Sequence, residues 1–409
     1  MRQSALTLVA HVKDGGLAPL RQVLKDKEAA IKDALRSLGT IHYARFVIVD
    51  QPGYKPQVAF GSNFDGPVEQ HVRDLADKLG QLIDDIYSNC VDYSSADRAS
   101  YLLNIRTKEA AFYQGSPGRT VGTIAQEKAL RNRLVRAIAA GNWNGKSAQT
   151  IHNELRQQVL AEPEFAWAKE PIKTPGMSKL GWILLLLLTA PISIPIGLVV
   201  LLIFALWALY VQFFLELRDK AGTVLPNDIP DAVIDANIAE EDFTWQNQFS
   251  QIMVMKAGKA RLYTLKVFFA VTRVLIRILF VRGKLMGIPT IHFARWVLLD
   301  NDKRLLFFSN FDGSWTQYLG DFIDKSGWGL NALFGNTTNF PRIWFFFWRG
   351  AYDEMHFLGW SRSTQIPTQI WYAADVSQSI KNINDNTLIR NDLSRDLSAA
   401  QAKQFLARL

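Results

Sequence analysis

The 409-residue chain has almost no sulfur chemistry beyond its methionines: it holds one cysteine, Cys90. That excludes an internal disulfide and any CxxC metal or redox site, fits a reducing compartment, and leaves Cys90 with no expected role. No HExxH, GxGxxG, P-loop or Ser-His-Asp order occurs, so the common enzyme signatures are absent. The opening MRQSALTLVAHVKDGG lacks an apolar run of signal-peptide length. Alternation of Leu6, Leu8 and Ala10 predicts a strand there instead, in a first half expected to be cytosolic. Charge is missing from one long stretch. Residues 180–215 are 36 consecutive positions without a charged side chain, in a chain with 46 Lys and Arg against 38 Asp and Glu.

Such a run, with Ile183-Leu184-Leu185-Leu186-Leu187-Leu188 at one end, predicts a membrane-embedded segment rather than a buried core helix. As one straight helix it would be about 54 Å long, against a hydrocarbon core of roughly 30 Å. Pro191 and Pro195 each remove a backbone donor and disfavour helix in the preceding residue. Either the segment is a hairpin turning at the prolines, or only residues 196–215 span. Lys169, Lys173 and Lys179 precede the segment and Arg218 and Lys220 follow it, so the positive-inside rule places both flanks in the cytoplasm and favours the hairpin. The expectation is an integral membrane protein of the bacterial cytoplasmic membrane, with its soluble parts in the cytoplasm and the lipid bilayer as partner. The formal net charge of +8 suits anionic headgroups. Nucleic acid is not expected as a partner, because no recognised binding motif accompanies the charge.

What the chain does contain is an internal duplication. TIHYARFVIVD at 40–50 and TIHFARWVLLD at 290–300 share seven of eleven residues, and from Ser62 and Ser309 the copies run 28 residues without a gap and with eleven identities. The first copy carries three extra residues around Gln51, Pro52 and Gly53, the composition of a turn. In each copy the periodicities predict a strand, a helix, a hairpin, a second helix and a final strand. For the first copy the helices fall at 17–38 and 67–88, the hairpin strands at 41–49 and 57–64, and the last strand near 110–114. For the second, strands fall at 248–256 and 368–373 and a helix at 260–282. This βαββαβ order is the ferredoxin-like unit. Its helices cover one face of the sheet, so the bare faces of the two sheets are expected to pair within the chain. The expected class is α+β. Residues 1–160 form the first repeat with a helical tail, 161–179 a linker, 180–217 the membrane hairpin, 218–244 a second linker, and 245–409 the second repeat with its tail.

Candidate chemistry lies in residues present in both copies. His42 and Arg45, like His292 and Arg295, are an odd number of positions apart, so on a regular strand they face opposite sides; the pattern does not say which faces the partner sheet. Ser62-Asn63-Phe64-Asp65-Gly66 and Ser309-Asn310-Phe311-Asp312-Gly313 lead into helices. There Asp65 and Asp312 either cap amides or, with Asn63 and Asn310, present a polar pocket to a ligand. Lys259, Lys266, Arg273 and Arg277 form a stripe on the 260–282 helix, either solvated or aimed at headgroups. The aromatic excess of 340–360, with Trp344-Phe345-Phe346-Phe347-Trp348, lines a cavity or meets the interface.

Two ferredoxin-like repeats in one chain, with Phe60-Gly61 shortly before Asp65-Gly66, resemble the dimeric α/β-barrel superfamily, which includes dye-decolorising peroxidases and chlorite dismutases. The resemblance implies an intrachain pseudo-dimeric barrel. It also implies haem as cofactor, a distal role for Asp65 and an axial histidine from the second repeat, His292 or His356; Asp312, Arg45 and Arg295 stand beside Asp65 as candidate catalytic residues, and His42, Asn63 and Asn310 as candidate cofactor-binding ones. Gly61 stands four rather than three residues before Asp65, and Phe308 occupies the matching place in the second copy. The alternatives are a module that binds a lipid or apolar small molecule, and a structural membrane protein with a fully packed barrel.

Overall fold

The computed structural model describes residues 2–170, 179–239, 241–278 and 285–409, and of 179–194 the backbone course alone. The first half runs β1 (Gln3–His11), α1 (Leu17–Asp26), α2 (Glu28–Ser37), β2 (Ile41–Val49), β3 (Gln57–Asp65), α3 (Val68–Leu79), α4 (Gln81–Tyr87), α5 (Arg98–Asn104) and β4 (Glu109–Gln114), and ends in tail helices α6 (Val121–Ala140) and α7 (Ala148–Leu160). An apolar helix α8 (Lys179–Tyr210) and a short α9 (Asp231–Ile238) lead to the second half. There follow β5 (Gln246–Val254), α10 (Lys259–Ile278), β6 (Ile291–Leu299), β7 (Arg304–Asp312), α11 (Trp315–Phe334), the two-residue strands β8 (Ile343–Trp344) and β9 (Trp348–Arg349), α12 (Glu354–Thr364), β10 (Thr368–Ala373), and tail helices α13 (Ile380–Leu393) and α14 (Ala399–Leu406). The fold is mixed α+β with antiparallel sheets.

The final strands are exchanged. One sheet has the order β1-β3-β2-β10 and the other β4-β6-β7-β5, so each takes three strands from one half and its fourth from the other. Before entering the foreign sheet, each exchanged segment touches its own first strand, through the antiparallel bridges Leu8–Arg106 and Gln251–Gln365. Because these pairings are all backbone hydrogen bonds, the halves cannot part without breaking both ladders. Between the sheets Val47, Val49, Ala59, Ile252, Val297, Leu299, Leu306 and Phe308 form an apolar layer. The tails close the assembly as a further helical cluster in which Leu130, Leu134, Leu155, Ile389 and Phe405 are buried together. Cys90 is buried in the first-half core, and burial pushes its thiol up to about 12.

Residues 180–215 do not turn at the prolines. Helix α8 passes through Pro191 and Pro195 as one helix and continues as a π-helical turn, Val211–Glu216, where the expectation was a hairpin. The physical reason is that a proline removes one donor, whereas a turn in an apolar setting would strip several backbone groups of partners. Pro195–Glu216 is long and apolar enough to cross a membrane. Its far end is bare, with Ile196, Leu202, Ile203 and Leu206 all about 60% exposed on successive faces. Its root is fixed in the second half. Glu216 receives Lys256 at 2.8 Å and Arg261 in a buried cluster, and also accepts the Ile343 amide. The aromatic run packs around this root, with Phe346 buried against Phe204 and Phe268, while Trp344 and Trp348 stay exposed.

Candidate functional site

Both hairpins carry the same irregularity. The register of β2 on β3 slips between Ile41 and Tyr43, and that of β6 on β7 between Ile291 and Phe293, which makes His42 and His292 the extra residues of two bulges. A bulge re-aims the side chain it carries. His42 Nε2 lies 3.0 Å from Asp65 Oδ1, and His292 Nε2 lies 2.7 Å from Asp312 Oδ1. The other oxygen of each carboxylate accepts the first amide of a tail helix, Val121 N–H to Asp65 at 2.8 Å and Ile380 N–H to Asp312 at 2.7 Å. A carboxylate suits a helix N-terminus, where the amides are otherwise unpaired and the dipole is positive. Since a carboxylate only accepts, Nε2 carries the proton, and Nδ1 is the ring nitrogen left for a ligand.

A cavity of about 380 Å³ lies between the two pairs. Its lining includes His42 and Tyr43 from one hairpin, His292 and Phe293 from the other, and Val121, Ile124 and Ile383 from the first turns of α6 and α13. Lys128 and Asp375 pair at 2.7 Å within the lining. Burial opposes ionisation of Asp375, yet hydrogen bonds from Lys128, Ser377 and Gln378 hold its carboxyl down at about 2. Tyr43 donates to Gln246 at 2.8 Å; burial, with Asp312 and Asp375 nearby, raises its phenol well above the usual value and keeps it a neutral donor.

The arginines lie elsewhere. Arg45 and Arg295 face the partner sheet, each crossing the interior to the other half. Arg45 donates to the Phe249 carbonyl at 2.8 Å, Ser250 Oγ at 3.0 Å, the Ser309 carbonyl at 2.7 Å and Asn310 Oδ1. Arg295 donates to the Leu6 carbonyl at 2.6 Å, Thr7 Oγ1 at 3.2 Å and Asn63 Oδ1 at 2.9 Å. Burial lowers both guanidinium groups, Arg295 to about 10, and Arg295 adds repulsion to Arg45. Phe308 lies against both, 4.9 and 5.9 Å from their Cζ atoms. Its counterpart is Gly61, where a Cβ would meet the Phe308 ring at 3.0 Å. The Gly61/Phe308 difference between the copies is therefore one of packing: a single ring fills a space that two cannot share.

The expected residues thus divide. His42 and His292 line the cavity, each backed by its aspartate, Asp65 or Asp312, whereas Arg45, Arg295, Asn63 and Asn310 are interior cross-ties. His356 stands apart on α12, 2.8 Å from Asp353 and beside a different cavity with Arg342 and Arg349. Haem does not fit this arrangement. The arginines that would flank a distal face are engaged between the sheets, and 380 Å³ lies near the lower end of ligand-pocket sizes, although a carboxylate on Nε2 leaves each Nδ1 open to a metal. Sequence reasoning missed Tyr43, Lys128, Asp375 and Gln246. Alignment of the copies beyond the hairpins sets Gln246 against Gln3 and would have marked it, whereas Asp375 against Ser116, Lys128 against Thr387 and Tyr43 against Phe293 are not shared and carried no such signal. No protein-family model, curated protein or solved structure matches the chain.

Proposed function

We propose that this chain is a membrane-anchored binding module for a small amphipathic molecule, built as an eight-stranded pseudo-dimeric barrel from two ferredoxin-like halves. The two four-stranded sheets and the two bridges at their edges support the barrel reading. The internal duplication supports a kinship with the dimeric α/β-barrel superfamily. Transfer of the bare side chains of α8 from water to hydrocarbon contributes on the order of 10 kcal/mol, enough to hold the chain on a bilayer. Since the halves share strands, both lie on one face of the membrane; because α8 is one continuous helix without a return, it anchors along that face rather than crossing it, and the basic flanks make that face cytoplasmic.

The observation that carries the binding role is the cavity itself, where two imidazoles each keep one nitrogen free of partners among the described residues while Ile124, Ile383 and Phe293 supply apolar walls. Two acceptors set in apolar walls suit a compact ligand with hydroxyl or phenol donors at its ends. A second reading is favoured by the His–Asp pairs. An imidazole held by a carboxylate has the orientation of a general base, so the same site suits proton abstraction from such a ligand. The test is solvent extraction of the purified, detergent-solubilised protein followed by mass spectrometry, on the native chain and on a variant with the cavity filled, Ile124→Trp. One small compound per chain, depleted in the variant, is expected. Equal recovery from both would place the compound elsewhere, and haem absorbance in the native protein would overturn the argument against haem.

A further inference from the structure

A second cavity, of about 1050 Å³, lies between the start of β1, the first turn of α3, β4 and the last turns of α10. Its lining holds four arginines, Arg2, Arg106, Arg273 and Arg277, against one carboxylate, Glu109, a formal excess of three positive charges. Glu109 already accepts from Thr7 at 3.2 Å. Among the described residues Arg106 reaches only Glu69 as an acidic partner, 3.6 Å away and well exposed, and its buried Nε has no acceptor. The other three arginines have no acidic partner among the described residues. Like charges gathered around one space repel, and although solvent screens the exposed Arg2, Arg273 and Arg277, an anion between them would relieve that repulsion. Part of the wall is apolar, through Val68, Phe112 and Ile276.

Helix α10 ties this cavity to the apolar surface. Arg273 and Arg277 are followed directly by Val274 and Ile278, which are 53% and 52% exposed and continue a stripe through Tyr263, Val267 and Val271. That stripe recurs at helical spacing and has no protein cover among the described residues. A ligand whose anionic end meets the arginines therefore has an apolar surface within one residue of its binding groups.

We propose that this cavity binds a phosphate-bearing amphiphile, with the phosphate on the guanidinium groups and the chain along the α10 stripe. Phosphate oxygens match the planar fork of arginine, which gives paired, charge-assisted bonds. The lipid as source rests on the membrane-anchored reading; recognition of phosphate does not. The full chain in an uncharged detergent is titrated with short-chain phosphatidic acid, short-chain phosphatidylcholine and inorganic phosphate, followed by native mass spectrometry and thermal unfolding. Phosphatidic acid is expected to bind one to one and raise the melting temperature, and R273Q/R277Q to weaken it about thirtyfold. K325Q, which removes a cation outside the cavity, is expected to bind as the native chain does. Equal binding of phosphatidylcholine, unchanged affinity in R273Q/R277Q, or an equal loss in K325Q would overturn the site. Inorganic phosphate binding as tightly as the lipid would overturn the amphiphile and assign a soluble phosphate. Failure of the membrane reading is seen separately, as native chain that stays in solution without detergent and does not sediment with vesicles.

Discussion

Replacing Asp65 or Asp312 by Asn changes the chemistry of the cavity while leaving most of its scaffold. In the native chain each carboxylate serves two donors, an imidazole Nε2–H and the first amide of a tail helix. Asn keeps an oxygen for the amide and offers an N–H to Nε2. Loss of the charge at the helix end costs about 0.3–1 kcal/mol. Exchange of a charge-assisted hydrogen bond for a neutral one costs about 1 kcal/mol more. Each single variant should therefore lose about 1–2 kcal/mol. Asp→Ala leaves two buried donors unpaired at about 1–3 kcal/mol each, so it should lose about 2–6 kcal/mol. The Asn variant also forces the tautomer: Nε2 must now accept, so the proton moves to Nδ1 and the cavity gains a donor where it had an acceptor. Chemical unfolding in detergent gives the stability differences, and imidazole nitrogen chemical shifts give the tautomer. An Asn variant as unstable as the Ala variant, or one in which Nδ1 stays unprotonated, would refute the reasoning.

Other positions give sharper or simpler outcomes. His71 accepts or donates at Ser62 Oγ over 2.9 Å and stacks on Phe64, and burial drives its pKa down to about 3. Unfolded histidine takes up a proton near pH 6.5, so stability should be full above that pH and fall by up to about 1.4 kcal/mol per unit as pH drops toward 3. Tyr318 fills the matching place in the second half, bonded to Ser309 and stacked on Phe311, so His71→Tyr should fold and flatten that acid dependence in unfolding measurements. Arg45→Met should cost about 3–5 kcal/mol, since it strips several buried oxygens of their donor, whereas Arg21→Ala at the exposed pair with Asp50 should cost under about 1 kcal/mol. Labels placed after Gln157 and after Asp242 should report the same face of the membrane, and opposite faces would contradict a shared-strand body.

Local pattern made the hairpins legible. Residues 41–49 and 57–64 are rich in Val, Ile and aromatics around a Gly turn, and they fold as β2 and β3 almost to the residue. The 67–88 helix was legible in extent but not in its break at Gly80, whose φ of +45° starts a new helix, α4. The site was half legible. His42, Asp65, His292 and Asp312 stand out because both copies carry them, yet parity along a strand cannot anticipate a bulge, and the bulge is what sends each histidine to its aspartate. Strand exchange was hidden for a related reason: β4 and β10 have the same local pattern whichever sheet receives them, and the choice is made by contacts distant in sequence. The prolines of α8 misled in the opposite direction, since their local cost is outweighed by the backbone bonds a continuous helix preserves.

The cavity and the placement of both halves on one membrane face require that the halves be one strand-exchanged body within a single chain. Val47 and Thr368 are Cα partners across the β2–β10 ladder and both are buried. Antiparallel partners of this kind lie about 4.5–5.5 Å apart, within the span of a disulfide. In isolated membranes, mild oxidation of V47C/T368C, with Cys90 replaced by Ala, should give an intrachain crosslink with monomer mobility. Crosslinks found only between differently tagged chains, or none while the protein stays folded, would contradict the account.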